Sequence, residues 1–338
     1  MPLTEPMLDH ISLGHIWIFL TERCNLSCDY CFFSRRGRGQ TLPWAKLKAL
    51  FLSLPPGRPH DIVLSGGEPL LEWALVQRAV VFIRQQLPGS GITLQTNALL
   101  LNAEKVKFLK ATQVSVEPGI DGLCAANVRH RAGTGQGRYQ TLLKNIQLLH
   151  AEKIRMNPTM TVHPSEVSGM EENFTWLVAQ GLMGIEVHPA FMAPWSKAQA
   201  RIFETGYKKI LALDLRSKKQ LICRDYSAPM RPAMDLVVQP DGNIVPNWTY
   251  LTFPKARRAS FYTMRLTAQG IEPYPQALAA YLKQARVFFC SPRSYRDLSN
   301  WNARRILKTS PDRKEQRRFS VYAQICRRAQ ELDRGLAR

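Results

Sequence analysis

Short runs of apolar and β-branched residues recur along the first two thirds of this chain, and between them lie longer stretches with apolar residues at helical spacing. The runs predict strands at Ile16 to Leu20, Asp61 to Ser65, Gly91 to Thr96, Gln113 to Glu117, Arg155 to Val162 and Gly184 to Pro189. The stretches between and after them predict helices over about 43–53, 70–87, 102–110, 138–151, 168–181 and 196–213. In the fourth of these, Leu142, Ile146 and Leu149 form one apolar stripe. Regular alternation of strand and helix is the pattern of parallel βα units. Such units, wound right-handed, curl into an incomplete barrel with an open mouth, where chemistry is expected.

After about residue 215 the pattern changes and Pro and Arg become frequent. Leu236 to Gln239, Pro240-Asp241-Gly242-Asn243 and Ile244-Val245 predict a hairpin with an Asp-Gly turn, and Arg304 to Arg318 predicts a basic helix. The expected architecture is α/β: a partial (β/α)6 barrel resembling an unclosed TIM barrel over residues 1–213, then a smaller α+β extension over 214–338.

A chain of 338 residues is long enough to bury a full core, and 45% hydrophobic with 21% charged residues is ordinary for a folded protein. The early apolar run is far shorter than the roughly 20 residues that span a bilayer, and no basic segment precedes it, so the expectation is a cytoplasmic protein with no membrane partner. Seven cysteines, three of them within eight residues, do not resemble a secreted disulfide framework. The net charge of +20 is concentrated in residues 151–338, which carry 30 basic against 16 acidic residues. Such a surface attracts polyanions, although solvated basic helix faces account for it equally well.

The strongest chemical signal is Cys24-Asn25-Leu26-Ser27-Cys28-Asp29-Tyr30-Cys31, just beyond the first strand. A loop of this span can wrap one face of an iron–sulfur cube, and three thiolates for four irons leave one iron open to activate a small molecule. A structural zinc site wants four ligands, usually in paired knuckles, and no second knuckle follows.

This Cys-x3-Cys-x2-Cys pattern, with Tyr30 before the last cysteine, resembles the signature of the radical S-adenosylmethionine (radical SAM) superfamily. Ser65-Gly66-Gly67-Glu68-Pro69 resembles that superfamily's GGEP segment, and Gln95-Thr96-Asn97 resembles the QTNG stretch of its sulfatase-maturase and peptide-maturase branch, with Ala98 in place of the glycine. Ile120-Asp121-Gly122, Arg131 and Gly137 are similar to that branch's SxDG, HDxxR and glycine pattern, but Gly119 replaces the serine and Asn127-Val128 replace His-Asp. The resemblance implies one [4Fe-4S] cluster on Cys24, Cys28 and Cys31. It implies S-adenosylmethionine held by Tyr30, Gly66, Gly67, Glu68, Thr96, Asn97 and Arg131, with Glu68 facing the amino group and Arg131 the carboxylate. Reductive cleavage to a 5′-deoxyadenosyl radical and hydrogen abstraction from substrate would follow, fed by an external electron donor of flavodoxin or ferredoxin type.

The branch commonly carries extra clusters in a SPASM or twitch extension. Here the Pro-Asp-Gly hairpin is kept, but Asn247 stands where a ligand cysteine is expected. Cys124, Cys223, Cys290 and Cys326 have no paired spacing, so a single cluster is expected. Cys223 is the candidate catalytic residue, as a hydrogen-atom donor to a substrate radical, and His188 is either pocket-lining or a core histidine. The implied substrate is a peptide, as in maturation of ribosomally made natural products. The alternative is a phosphorylated or nucleotide-linked small molecule, and nucleic acid ranks last because no RNA-binding module accompanies the basic run at Arg304 to Arg318.

Overall fold

The computed structural model describes residues 12–31, 39–55, 57, 59–190, 193–223, 233–246 and 262–274, with 276–277, 324–325, 328 and 332 beyond. From β1 (Ser12–Phe19) the chain passes through a short β2 (Ser27–Cys28) and α1 (Trp44–Leu52) to β3 (Asp61–Ser65). A 3-10 turn at Pro69–Glu72 and α2 (Trp73–Gln86) lead to β4 (Gly91–Thr96), and α3 (Ala103–Ala111) leads to β5 (Ser115–Pro118). Next come α4 (Cys124–His130), β6 (Arg131–Ala132), α5 (Gly135–Ala151) and β7 (Thr159–Val162). A second 3-10 turn at Pro164–Gly169, α6 (Met170–Ala179), β8 (Glu186–Pro189) and α7 (Lys197–Ser217) complete the βα alternation. After these come the strands β9 (Ala233–Val238), β10 (Asn243–Val245), β11 (Met264–Leu266) and β12 (Ile271–Pro273).

β1, β3, β4 and β5 pair in that order, all parallel. β5 passes to β7 through the parallel bridges Val116–Met156 and Gly119–Thr159, and β7 pairs with β8. This is a partial parallel α/β barrel. On the other side of β1, β9 pairs parallel in the register Ile16 to Leu236, and β10 to β12 follow antiparallel. The hairpin therefore extends the barrel's own sheet. Its turn closes with the Gly242 N–H donating to the Gln239 carbonyl at 2.8 Å, and Gly242 takes φ 91°, a conformation glycine adopts without strain.

Side chains alternate across each strand. One face packs Ile16, Ile18, Ile62, Leu64, Leu94, Val116, Met160 and Val162 against helix residues such as Leu47, Val80, Leu109, Leu149 and Phe174, all buried in one core. Burying each such side chain contributes roughly 1.5–3 kcal/mol. The opposite face, the barrel interior, carries Trp17, Ser65, Gln95, Glu117, Thr161, Glu186 and His188.

The strands and helices predicted before residue 215 are all present, with ends moved by local chemistry, and the predicted basic helix at Arg304 to Arg318 lies outside the described residues. Gln113 turns at φ 53°, so β5 begins after it. Pro158 has no N–H to give a ladder, and β7 starts at Thr159. α4, β2 and β6 were not anticipated, because segments of seven and two residues carry no measurable period. At the other extreme, α7 opens on a Ser196/Gln199 capping box, with the Gln199 N–H donating to Ser196 Oγ at 3.2 Å.

Candidate cofactor site at the barrel mouth

The exits of β1 and β3 are fastened to each other before any side chain is considered. The Gly67 N–H donates to the Thr21 carbonyl at 2.7 Å and the Glu68 N–H to the Arg23 carbonyl at 2.8 Å. A Cβ at Gly67 would lie 2.2 Å from the Arg23 carbonyl oxygen, and one at Gly66, whose φ is 146°, would lie 2.6 Å from that of Thr21. The close approach these two glycines permit is thus between the strand exits, which fixes where the cysteine loop departs.

The loop is then tied down residue by residue. β2 pairs with β6, setting Ser27 opposite Ala132 and Cys28 opposite Arg131. The Asp29 N–H donates to the His130 carbonyl at 3.0 Å, and Asp29 Oδ2 lies 2.8 Å from His130 Nδ1. The Tyr30 hydroxyl donates to Asp121 Oδ2 at 2.6 Å. His130 stacks on His163 with centroids 3.9 Å apart, and Ser165 Oγ lies within 3.0 Å of both rings' nitrogens.

Cys24 is exposed and Cys28 and Cys31 are half-buried. The Leu26 N–H reaches Cys24 Sγ at 3.4 Å, and Asn97 Nδ2 lies 4.0 Å from the same sulfur. Burial pushes the Cys24 thiol up, and it does the same to Cys28 although Arg131 opposes it. Thiolates at these positions therefore call for a cationic metal group to hold their charge. Three soft sulfurs on one anchored loop, with N–H donors aimed at the first, fit a [4Fe-4S] cluster.

Beside the loop, Glu68 is fully buried. Its Oε1 accepts from the Leu70 N–H at 2.9 Å and the Thr96 hydroxyl at 2.7 Å, and its Oε2 accepts from the Asn97 N–H at 2.8 Å. An ionised carboxylate has about four acceptor positions, so one is left for a ligand ammonium. Burial raises the Glu68 pKa, and the three donors work against that rise. Asn97 Nδ2 also donates to Asn25 Oδ1 at 2.7 Å, joining the end of β4 to the cysteine loop.

Arg131 is buried with its fork on Asp121: Nε donates to Oδ2 at 2.8 Å and Nη2 to Oδ1 at 2.7 Å. Burial works against its charge, but Asp121 overrides this and raises its pKa well above the ordinary value. A Cβ at Gly119 would lie 2.8 Å from Arg131 Nη1, so the guanidinium occupies the space a serine there would need. Asp121 also accepts from the Thr161 N–H at 2.9 Å, which makes it a hub for the loop, β6 and β7. Sequence reasoning noted the Ile120-Asp121-Gly122 string but missed this role; an acidic residue ten positions before a buried-type Arg was the available signal.

Cys223 lies elsewhere. It is buried, and its N–H donates to the Ile185 carbonyl at 3.0 Å, level with the beginning of β8 instead of the rim. His188 is on the interior face, with Nε2 2.8 Å from Glu186 Oε2. Cys124 opens α4, half-buried. Asn247, Cys290, Cys326 and Arg304 to Arg318 lie outside the described residues.

Every fastened motif sits at a C-terminal strand end, the face on which barrel proteins carry their active sites. Fold and site together define an α/β-barrel protein built to hold an iron–sulfur cluster over the barrel mouth. Residues 18–176 match the model of the radical SAM superfamily, and that stretch of the chain is similar to it.

The chain is 27% identical over 175 residues to an uncharacterized protein of Methanocaldococcus jannaschii, covering 51% of this chain and 61% of that protein. It is 33% identical over 128 residues to the GTP 3′,8-cyclase of a Synechococcus strain, covering 37% of each. The match thus spans less than two thirds of these relatives. Among solved structures, native anSMEcpe with bound AdoMet and Cp18Cys peptide superposes with TM-score 0.61 at 16% identity, covering 76% of this chain and 78% of that one. Proteins of the superfamily bind a [4Fe-4S] cluster and S-adenosylmethionine, and no helix among the described residues is long and apolar enough to cross a membrane.

Proposed function

We propose that this chain is a radical SAM enzyme that modifies an amine-bearing peptide, with Cys24, Cys28 and Cys31 holding one [4Fe-4S] cluster. The observation that carries the reading is the three-thiol loop fastened to β6 and Asp121, next to the buried Glu68 carboxylate. When bound, the cluster and S-adenosylmethionine supply one-electron chemistry able to take a hydrogen atom from an unactivated C–H bond.

The chain's own residues do the rest. Glu68 offers its remaining acceptor position to the cofactor's ammonium group, oriented by Thr96 and Asn97. Asn97 and Leu26 direct N–H groups at Cys24 and so tune the charge at its sulfur. Arg131 offers its Nη1 group and the second Nη2 N–H to a cofactor carboxylate, since Asp121 takes Nε–H and the first Nη2 N–H. Tyr30, tied to Asp121, closes the loop over the mouth and limits water entry.

The peptide reading is supported by the fold shared with a peptide-bound radical SAM protein. A second reading, action on a nucleotide-linked small molecule, is supported by the GTP 3′,8-cyclase relative and by the +20 charge. Anaerobic reconstitution tests the core claim. About four irons and four sulfides per chain and release of 5′-deoxyadenosine on reduction are expected, with both lost in the Cys24→Ala, Cys28→Ala and Cys31→Ala variants. A wild-type protein that takes up zinc in place of iron would sink it.

A further inference from the structure

Below the cofactor motifs, the barrel interior carries a row of polar side chains that those motifs do not use. Ser65 immediately precedes Gly66, Gln95 immediately precedes Thr96, and Glu117 pairs with Gln95 across β4 and β5. The Ser65 hydroxyl donates to Gln95 Oε1 at 2.7 Å, which turns the Gln95 amide so that Nε2 points at Glu117 Oε2, 3.4 Å away. Among the described residues this long contact is the one hydrogen bond to the Glu117 carboxylate. The charged group felt most by Glu117 is another acid, Glu186 on β8, which is engaged by His188. On the same interior face the Trp17 indole N–H is buried with no acceptor among the described residues.

A largely enclosed carboxyl group with one weak donor and an acidic neighbour is poorly solvated, and burying such a group without a counter-charge costs free energy. A fold that keeps it part-buried inside the barrel and aims an amide at it has a place for a positive charge. We infer that Glu117 recognises a cationic nitrogen of the substrate, an alkylammonium or guanidinium seated inside the barrel beneath the cofactor motifs. The inference deepens the proposed function, on which it rests for what then happens to the seated group. It also favours the peptide reading, because a cationic nitrogen can pair with the Glu117 carboxylate as its proton leaves and a phosphate cannot.

The test uses anaerobically reconstituted protein with S-adenosylmethionine, titrated by calorimetry with two cationic probes: n-butylammonium and the blocked peptide acetyl-Gly-Lys-Gly-amide. n-Butanol and the matching norleucine peptide are the neutral controls. At least one cation is expected to bind, its neutral partner at least about tenfold more weakly, and Glu117→Gln is expected to lower the cation's affinity roughly 10- to 100-fold. Glu117→Asp, which keeps the charge but withdraws it by one methylene, should fall between. Binding of the peptide alone assigns the nitrogen to a basic side chain, and binding of both assigns it to a small amine as well. Equal binding by wild type and both variants, or no binding of either cation, overturns the inference. Iron content and 5′-deoxyadenosine release are read in the same samples. Their absence in the wild type removes the radical SAM reading, while the ammonium titration still stands or falls on Glu117.

Discussion

From β1 to β4 the mouth of this barrel is closed on itself, whereas from β5 to β8 its interior is left electrically unsettled. On the first side, backbone of the β1 exit bonds backbone of the β3 exit, and the one buried carboxylate, Glu68, has three donors. On the second, the Glu117 carboxylate has one long donor among the described residues and faces Glu186. The same residue type, at the ends of β3 and β5, is finished by protein groups in one place and left for something else in the other. Invariable chemistry suits the first kind of construction, because a cofactor common to a superfamily can be met by fixed backbone geometry. Substrates differ, and the second side is where this chain shows its own choices.

Asp121 is where the two sides meet, holding Tyr30 of the loop, Arg131 of β6 and the Thr161 N–H of β7. Asp121→Asn should therefore have the largest effect of any single change at the mouth. It leaves a buried guanidinium without its counter-charge, and removing one partner of such a pair costs about 3–5 kcal/mol. Urea unfolding of variant and wild type measures this. A loss below about 1 kcal/mol would mean that the loop is anchored chiefly by the β2–β6 pairing.

Glu68→Gln should cost less, on the order of 1–3 kcal/mol, because one of the three donors loses its acceptor or meets an amide N–H. It should also weaken retention of S-adenosylmethionine by roughly tenfold or more, read by equilibrium dialysis on reconstituted protein. Unchanged retention would detach Glu68 from the cofactor and leave it as the N-cap of the Pro69–Glu72 turn alone.

Glu117→Gln should behave in the opposite sense, which sharpens the comparison. Burial first, and Glu186 second, push the Glu117 carboxyl up to about 8 from an ordinary value of 4.5. Between those values the folded protein keeps a proton that the unfolded chain has released, so Glu117 makes the fold progressively less stable as pH rises from about 4.5 to about 8. The groups facing it among the described residues are Glu186 of β8, itself engaged by His188, and the neutral Gln95. The glutamine variant has no such proton, and its stability relative to wild type should climb from pH 5 to pH 8 and then level off. A constant difference across that range would show that Glu117 is ionised throughout and already balanced.

Much of this construction was legible in the sequence, for a physical reason that also marks the boundary. Strands and helices such as Asp61–Ser65 and Trp73–Gln86 announce themselves through periods of two and 3.6 residues, which burial on one face imposes. The thiol loop and the Gly-Gly-Glu turn are local strings, so their chemistry travels with their spelling. What the string does not carry is who touches whom. The Arg131 fork looked available for a ligand until Asp121, ten residues earlier, was found across it. The glycines at 66 and 67 looked like clearance for a ligand, and their nearest neighbours are the carbonyls of Thr21 and Arg23. Glu117 drew no notice, because one acidic residue at a strand end has no signature until Gln95 and Glu186 are brought beside it.

Ala98 offers the smallest and cleanest contrast. It follows Thr96-Asn97 at the position where the resembling motif has glycine, and its φ of 60° places it in the left-handed region. A Cβ there costs roughly 1–2 kcal/mol against glycine, so Ala98→Gly should relieve strain in the bend that carries the Asn97 amide to Glu68. But the Ala98 methyl is fully buried in the core, and removing one such group gives back about 0.8 kcal/mol while loosening the unfolded chain as well. The two sides nearly cancel, and the expected change in unfolding free energy is within about 0.5 kcal/mol of zero. A gain of more than about 1 kcal/mol would show that the finished side of the mouth stores strain after all, and its rigidity would then come from packing around Ala98 more than from the hydrogen bonds on Glu68.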